Sequence, residues 1–226
     1  MKTKEKKEEL LPNKSLVHTA REVIRAINHD KRQAILQYIM AHPKCNVNAI
    51  YKTLGLEQSI TSNFLHQLAD AGIVKLEDTG RCVQVEVDQN KLMHVYRWVA
   101  NLHDIMQKYV KEPKFRLTKK VNQSMFTLKQ VTVSEKAVRS VVHLLNSLEN
   151  NDQRKILKVL LEHDQPLCVT DLYIKTRADQ APTSGKLSLM KKVGLVSARR
   201  QGKHILYQAD SAYVHELRTY IESTPI

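Results

Sequence analysis

Two glutamines and two serines set the chemistry open to this chain. Gln58 and Ser62 stand four residues apart, and Gln180 and Ser184 repeat that spacing 122 residues later. At the helical period, residues four apart lie one above the other on a single face. A glutamine amide can make paired hydrogen bonds to an adenine edge, and a serine hydroxyl is short enough to reach a base or a phosphate. Ser59, Asn63 and His66 extend the first set, while Lys186 and Ser188 extend the second. Farther on, Arg199, Arg200 and Lys203 flank Gly202, a basic turn suited to gripping a phosphate backbone or a minor groove. Each of these residues alone is what a solvated helix face or an exposed turn ordinarily contains. Their occurrence in two matched sets makes them a candidate surface for double-stranded DNA.

Other chemistries find little support. There is no Gly-rich phosphate loop, no Gly-x-Ser-x-Gly and no His-Glu-x-x-His, and six glycines leave little for a cofactor cradle. No enzyme activity and no cofactor are therefore expected. Cys45, Cys82 and Cys168 are too few and too scattered for a disulfide framework, which points to a reducing cytoplasm. No apolar run approaches the roughly 18 residues that cross a bilayer, so no membrane partner is expected. The 36 Lys and Arg against 23 Asp and Glu give a net charge of +13, which favours a polyanionic partner. That excess is spread out: residues 1–111 carry 17 basic and 12 acidic side chains, 112–133 carry 5 and 1, and 134–226 carry 14 and 10.

The elements that must position the candidate residues follow from apolar spacing and punctuation. After a charged arm over 1–14, Leu16, Val17, Ala20, Val23, Ile24 and Ile27 predict a first helix with Ser15 as its N-cap. Asp30 is expected to cap a second, carrying Ile35, Leu36, Ile39 and Met40 and stopped near Pro43. A short third helix covers Val47 to Leu54, and Gly55 turns the chain into a fourth, Glu57 to Ala71, that buries Ile60, Phe64, Leu65 and Leu68. Beyond Gly72, two alternating runs around Thr79-Gly80 predict a hairpin, and Gln89 to Val110 predicts a long helix. Two helices joined by a tight turn and followed by a hairpin make a winged helix-turn-helix.

The order then recurs. Residues 112–133 are expected to be a basic linker with some order around Phe126 and Leu128. Helices follow around Val138 to Leu148, from an Asp152 cap, over Val169 to Thr176 and from Asp179 to Val193, then a wing and a last helix, Ser211 to Glu222. Asp30, Ile50, Tyr51, Leu65, Gly72, Val74 and Gly80 meet Asp152, Leu172, Tyr173, Leu187, Gly194, Val196 and Gly202 at the same offset as the glutamines and serines. The expected fold is mainly α with small β-hairpin wings, as tandem winged helix-turn-helix domains over 15–111 and 134–226.

Leu54 to Leu68, LGLEQSITSNFLHQL, and the second wing, GLVSARRQGKHILYQ, resemble the ArsR-type winged helix-turn-helix repressors, and the resemblance runs through both copies. It implies a cytoplasmic, DNA-binding transcriptional regulator. Single-domain members dimerise through their first and last helices, so two copies in one chain imply an intramolecular pseudo-dimer, with a homodimer of tandem chains as the alternative. The two recognition helices would then sit roughly 34–36 Å apart. Family members that bind metal use a Cys-x-Cys pair or Asp and His on the last helix. Here Thr170 stands where a second thiol would follow Cys168, and His94, His103, Asp104, Asp210 and His215 lack the spacing for four ligands, so no metal is expected.

The copies differ in charge. The first recognition helix has no Lys or Arg between Glu57 and Gly72, and its wing tip reads Glu77-Asp78-Thr79-Gly80-Arg81. The second is expected to supply most of the affinity and the first to add sequence preference. The acidic first copy also fits a protein-docking role.

Overall fold

The computed structural model describes residues 10–110, 125–128, 131–177 and 180–226. Residues 1–9 of the predicted arm, 112–124 and 129–130 of the predicted linker and the Asp179 cap lie outside the described residues.

Each repeat is a bundle of helices closed by a small sheet. The first begins with α1 (Lys14–Ile27), which buries Val17, Ala20, Val23, Ile24 and Ile27 on one stripe. Its cap is Asn13 and not Ser15: the Asn13 side chain accepts from the Ser15 and Leu16 amides at 2.9 and 3.4 Å, which draws Ser15 inside the first turn. Helix α2 (Asp30–Ala41) likewise starts one residue earlier than expected, with His29 at the cap position and Asp30 in the first turn, where its charge suits the helix dipole. A two-residue strand, β1 (Cys45–Asn46), precedes α3 (Val47–Leu54), and the Asn46 side chain caps that helix through the Ala49 amide at 2.8 Å. Gly55, at φ 62°, turns the chain into α4 (Gln58–Asp70). The wing is β2 (Val74–Asp78) antiparallel to β3 (Val83–Val87), with β1 on the other edge of β3. Helix α5 (Gln89–Tyr109) leaves the sheet and buries Leu92, Val95, Tyr96, Trp98, Val99, Leu102, Ile105 and Met106.

Strand β4 (Met125–Leu128), in the predicted linker, pairs antiparallel with β5 (Val131–Ser134), which runs one residue past the linker's predicted end. The chain then enters α6 (Glu135–Glu149) and α7 (Asn151–Glu162). Asn150, not Asp152, caps α7 by accepting from the amides of Asp152 and Gln153, both at 3.1 Å. The remainder is β6 (Leu167–Cys168), α8 (Val169–Thr176), α9 (Gln180–Lys192), β7 (Val196–Gln201), β8 (His204–Ala209) and α10 (Ser211–Ser223). The sheet order β6-β8-β7 reproduces β1-β3-β2. The chain is thus mainly helical, with two winged-helix units built on one plan. None of the helices is long and apolar enough to cross a membrane among the described residues.

The repeat extends to single interactions. Thr61 and Thr183, 122 residues apart, are both fully buried in the fourth helix of their units. Arg32 donates from Nε to the Ala26 carbonyl at 2.6 Å, and its counterpart Arg154 donates from Nη1 to the Leu148 carbonyl at 2.9 Å. Each arginine ties the second helix to the frayed end of the first, where carbonyls lack helical partners. Asp88 and Asp210 cap the last helices through the amides of Lys91 and Tyr213 at 2.9 and 3.0 Å.

The units join through their first and last helices: α1 packs on α6, and α5 packs on α6, β5 and α10. Trp98 is fully buried at this seam, its Nε1 donating to the Thr224 carbonyl at 2.7 Å. Tyr220 donates back to the Trp98 carbonyl at 3.2 Å. Tyr109 stacks on Tyr213 at 4.5 Å, and its hydroxyl donates to Glu216, which Lys108 also holds at 2.6 Å. At the other end His18 lies 2.7 Å from Glu149, which also pairs with Arg21, and Lys14 donates to Asn151 at 2.6 Å. Gly194 is a point of close approach, since a Cβ there would come within 2.6 Å of the Val110 side chain.

Candidate nucleic-acid interface

Helix α9 turns Thr183, Leu187 and Met190 fully into the core. Ser184, Gly185, Ser188, Lys191 and Lys192 are exposed. Gln180 opens the helix, and its side chain lies outside the described residues. The wing reverses between Gln201 and His204 through Gly202 and Lys203. Gly202 has φ 59° and Lys203 does not share the positive φ, the pattern of a two-residue turn with glycine first. The turn carries Arg199, Arg200 and Lys203 to its exposed edge, and Arg200 Nε donates to the Gly202 carbonyl at 3.3 Å.

Lys186 corrects the sequence expectation. It is half-buried, not exposed, and its Nζ lies 2.5 Å from Asp152 Oδ2 at the start of α7. The Lys186 hydrogen bond and charge hold the Asp152 carboxyl below its ordinary pKa. Gln153, buried beside it, donates to the Lys186 carbonyl at 3.3 Å and to Ser147 at 3.4 Å. Lys186 therefore locks α9 onto α7 and is not a free cation on the outer face.

In the first unit the polar side chains of α4 are more committed. Gln58, Ser59, Asn63 and His66 are exposed, whereas Ser62 is half-buried. Asn63 accepts from Gln67 Nε2 at 3.1 Å, and Gln67 in turn accepts from Arg32 Nη1. The Arg32 guanidinium lies 5.4 Å from the Phe64 ring centroid, with His29 against the same ring at 4.9 Å. Ile60 and Phe64 are half-buried, not core, because Thr61 takes the inward position and satisfies its hydroxyl on the Glu57 carbonyl at 3.0 Å. The position of Phe64 is held by Lys186 in the second unit, so the same slot is filled by an aromatic–cation contact in one copy and an ion pair in the other.

Charge divides the two faces more sharply than composition does. Residues 180–209 hold six Lys and Arg and no Asp or Glu, whereas the matching residues 58–87 hold two basic and four acidic side chains. Glu77, Asp78 and Arg81 are all exposed on the first wing, where the Gly80 amide donates to Asp78 at 2.8 Å.

The cysteines have structural surroundings. Burial pushes the Cys45 thiol up. Cys168 caps α8, its Sγ 3.0 Å from Asp171 Oδ2.

One feature of the second unit escaped the sequence pattern. Arg177 occupies the turn before α9 with φ 53°, in the place where the first unit has Gly55. The 122-residue offset applied to Gly55 locates it. No family model, curated protein or solved structure matches this chain.

Proposed function

We propose that the protein is a sequence-specific double-stranded DNA-binding transcriptional regulator, a single-chain pseudo-dimer of two ArsR-like winged helices. The observation that carries the reading is the acid-free basic face of α9 and its wing, matched at a fixed offset by a second unit packed through first and last helices. A pseudo-dimer seam of that kind leaves each α4-type helix available to one half-site. The second unit supplies the phosphate grip through Arg199, Arg200 and Lys203, with Ser184, Ser188 and Gln180 toward base edges. The first supplies sequence preference through Gln58, Ser59 and Ser62. The unequal halves call for an imperfect palindrome as operator, and repression is the role the family resemblance suggests.

A second reading is favoured by one observation: the acidic first face suits a protein partner better than phosphate. Under it the chain is a protein-docking module with only non-specific nucleic-acid affinity. Gel shifts on random duplex at low and high salt, followed by selection of bound sequences, separate the two. Salt-sensitive binding and an enriched two-half-site motif support the proposal. Absence of binding at low salt refutes it.

A further inference from the structure

Two residues other than glycine have positive φ among the described residues, Lys44 at 58° and Arg177 at 53°. Left-handed backbone is unfavourable for a side chain with a Cβ, and glycine is the default wherever a helix ends that way. The first unit follows the rule: Gly55 ends α3 at φ 62°. An added Cβ there meets nothing within 4 Å, so sterics of the surroundings do not dictate the choice. The second unit keeps the same backbone and the same role, ending α8 with the Arg177 amide on the Ile174 carbonyl at 3.3 Å, but places an arginine on it. For folding alone that is the worse residue. A strained residue beside a candidate binding helix motivates a role for its side chain there.

The side chain is exposed, and among the described residues the guanidinium has no hydrogen-bond or ion-pair partner. Lys175, two residues earlier, is exposed as well. Arg177 precedes the first residue of α9 by three positions, so roughly 11 Å of chain at most separates it from the end of the helix proposed to enter the groove. A guanidinium there would meet the backbone flanking the bases that the helix reads.

We propose that Arg177 is a DNA-phosphate contact of the second unit, held in a left-handed turn at the expense of fold stability. The proposal rests on the DNA-binding reading. It predicts opposite movements of two measurements on one variant. Arg177→Gly relieves the backbone and should raise the thermal midpoint by about 2 °C or more. The same change should weaken binding to mixed-sequence duplex about threefold to tenfold at low salt and reduce the log–log salt slope by about 1. Arg177→Lys should keep the slope. Lys44→Gly is the internal control: it also removes an exposed charge from a left-handed turn, but in the other unit and before β1, at the opposite end of α3 from the Gly55 turn. It should raise the midpoint and leave the slope unchanged.

An Arg177→Gly protein with wild-type affinity and slope overturns this inference while leaving the DNA reading intact. So does a Lys44→Gly protein that loses as much slope, because the effect would then be net charge alone. A lower midpoint for Arg177→Gly overturns the claim of strain. Failure of the wild-type chain to bind any duplex at low salt overturns the DNA reading itself, and is seen before the variants are compared.

Discussion

Trp98→Ala is expected to uncouple the two units. The indole is 1% exposed and sits where α5 meets α10, its ring centroid 5.6 Å from that of Tyr220 and its Nε1 on the Thr224 carbonyl at 2.7 Å. Truncating a buried tryptophan to alanine costs about 3–5 kcal/mol, through lost transfer energy and the cavity left behind. That is a large share of the roughly 5–15 kcal/mol that holds a typical domain folded, and corresponds to a fall of roughly 6–20 °C in melting temperature for a chain of this size. Trp98→Phe separates packing from hydrogen bonding. It retains most of the buried area and removes the N–H, and because Thr224 is half-buried, water can reach its carbonyl, so the added loss should be about 1 kcal/mol. Urea unfolding followed by circular dichroism should show a single transition in the wild type, where the buried residues of both units form one continuous core, and a broadened or biphasic one in Trp98→Ala, where a cavity interrupts that core at the seam. Duplexes with one and two half-sites supply the functional readout. If the seam fixes the spacing of the two α4-type helices, the gain from the second half-site should shrink when Trp98 is removed. A Trp98→Ala protein that melts within about 2 °C of the wild type, with one sharp transition, would refute the seam as a stability determinant.

Three further expectations follow from the same geometry. Charge reversal at Arg199 and Arg200 should lower DNA affinity and reduce the log–log salt slope by at least about 2, because each removed phosphate contact changes it by about 0.9; an unchanged slope would exclude the second wing from the interface. Lys186→Met should leave the slope within a few tenths of wild type, since its ammonium is held by Asp152; a slope reduced as much as by losing Arg199 or Arg200 would show that Lys186 faces phosphate after all. Acidification should destabilise the fold from about pH 6.5 downward. Burial, helped by the nearby charges of Arg32 and Lys136 respectively, lowers the pKa of His29 and His103 from 6.5. Their depressed values mean the unfolded chain takes up protons first, so the stability they contribute is complete above about pH 6.5 and declines as pH falls below it. Thermal melts from pH 7.5 to 5 should show this decline, and a His29→Asn, His103→Gln protein should show less of it; identical profiles would rule those two imidazoles out.

The sequence by itself determined what depends on neighbours along the chain. The period of apolar residues placed the helices, alternation placed the first wing, and the 122-residue offset placed the second and showed that one plan had been used twice. Local competition was legible only approximately: Asn13 and Asn150 outcompete the nearby Ser15 and Asp152 as caps because their side chains reach the free amides of the first turn. Strands β1 and β6, two residues each, are defined by pairing with β3 and β8 about 40 residues away and have no period of their own. Strands β4 and β5, which begin inside the stretch expected to be a linker with some order around Phe126 and Leu128, are defined by pairing with each other.

Tertiary structure alone decided which polar residues are available. Lys186 and Asn63 carry the same promise in the sequence as Ser188 and Ser59. Lys186 is claimed by an aspartate 34 residues away, and Asn63 by Gln67 on its own helix, itself held by Arg32 from 35 residues away. Trp98 stands at helical spacing from Val95 and Leu102, but that its partners are Tyr220 and Thr224 of the other unit is visible only in the fold. Arg177 is an ordinary arginine until its φ is known. Burial, ion pairing and backbone strain are properties of distances across the fold, and residue spacing along a single helix or strand does not encode them.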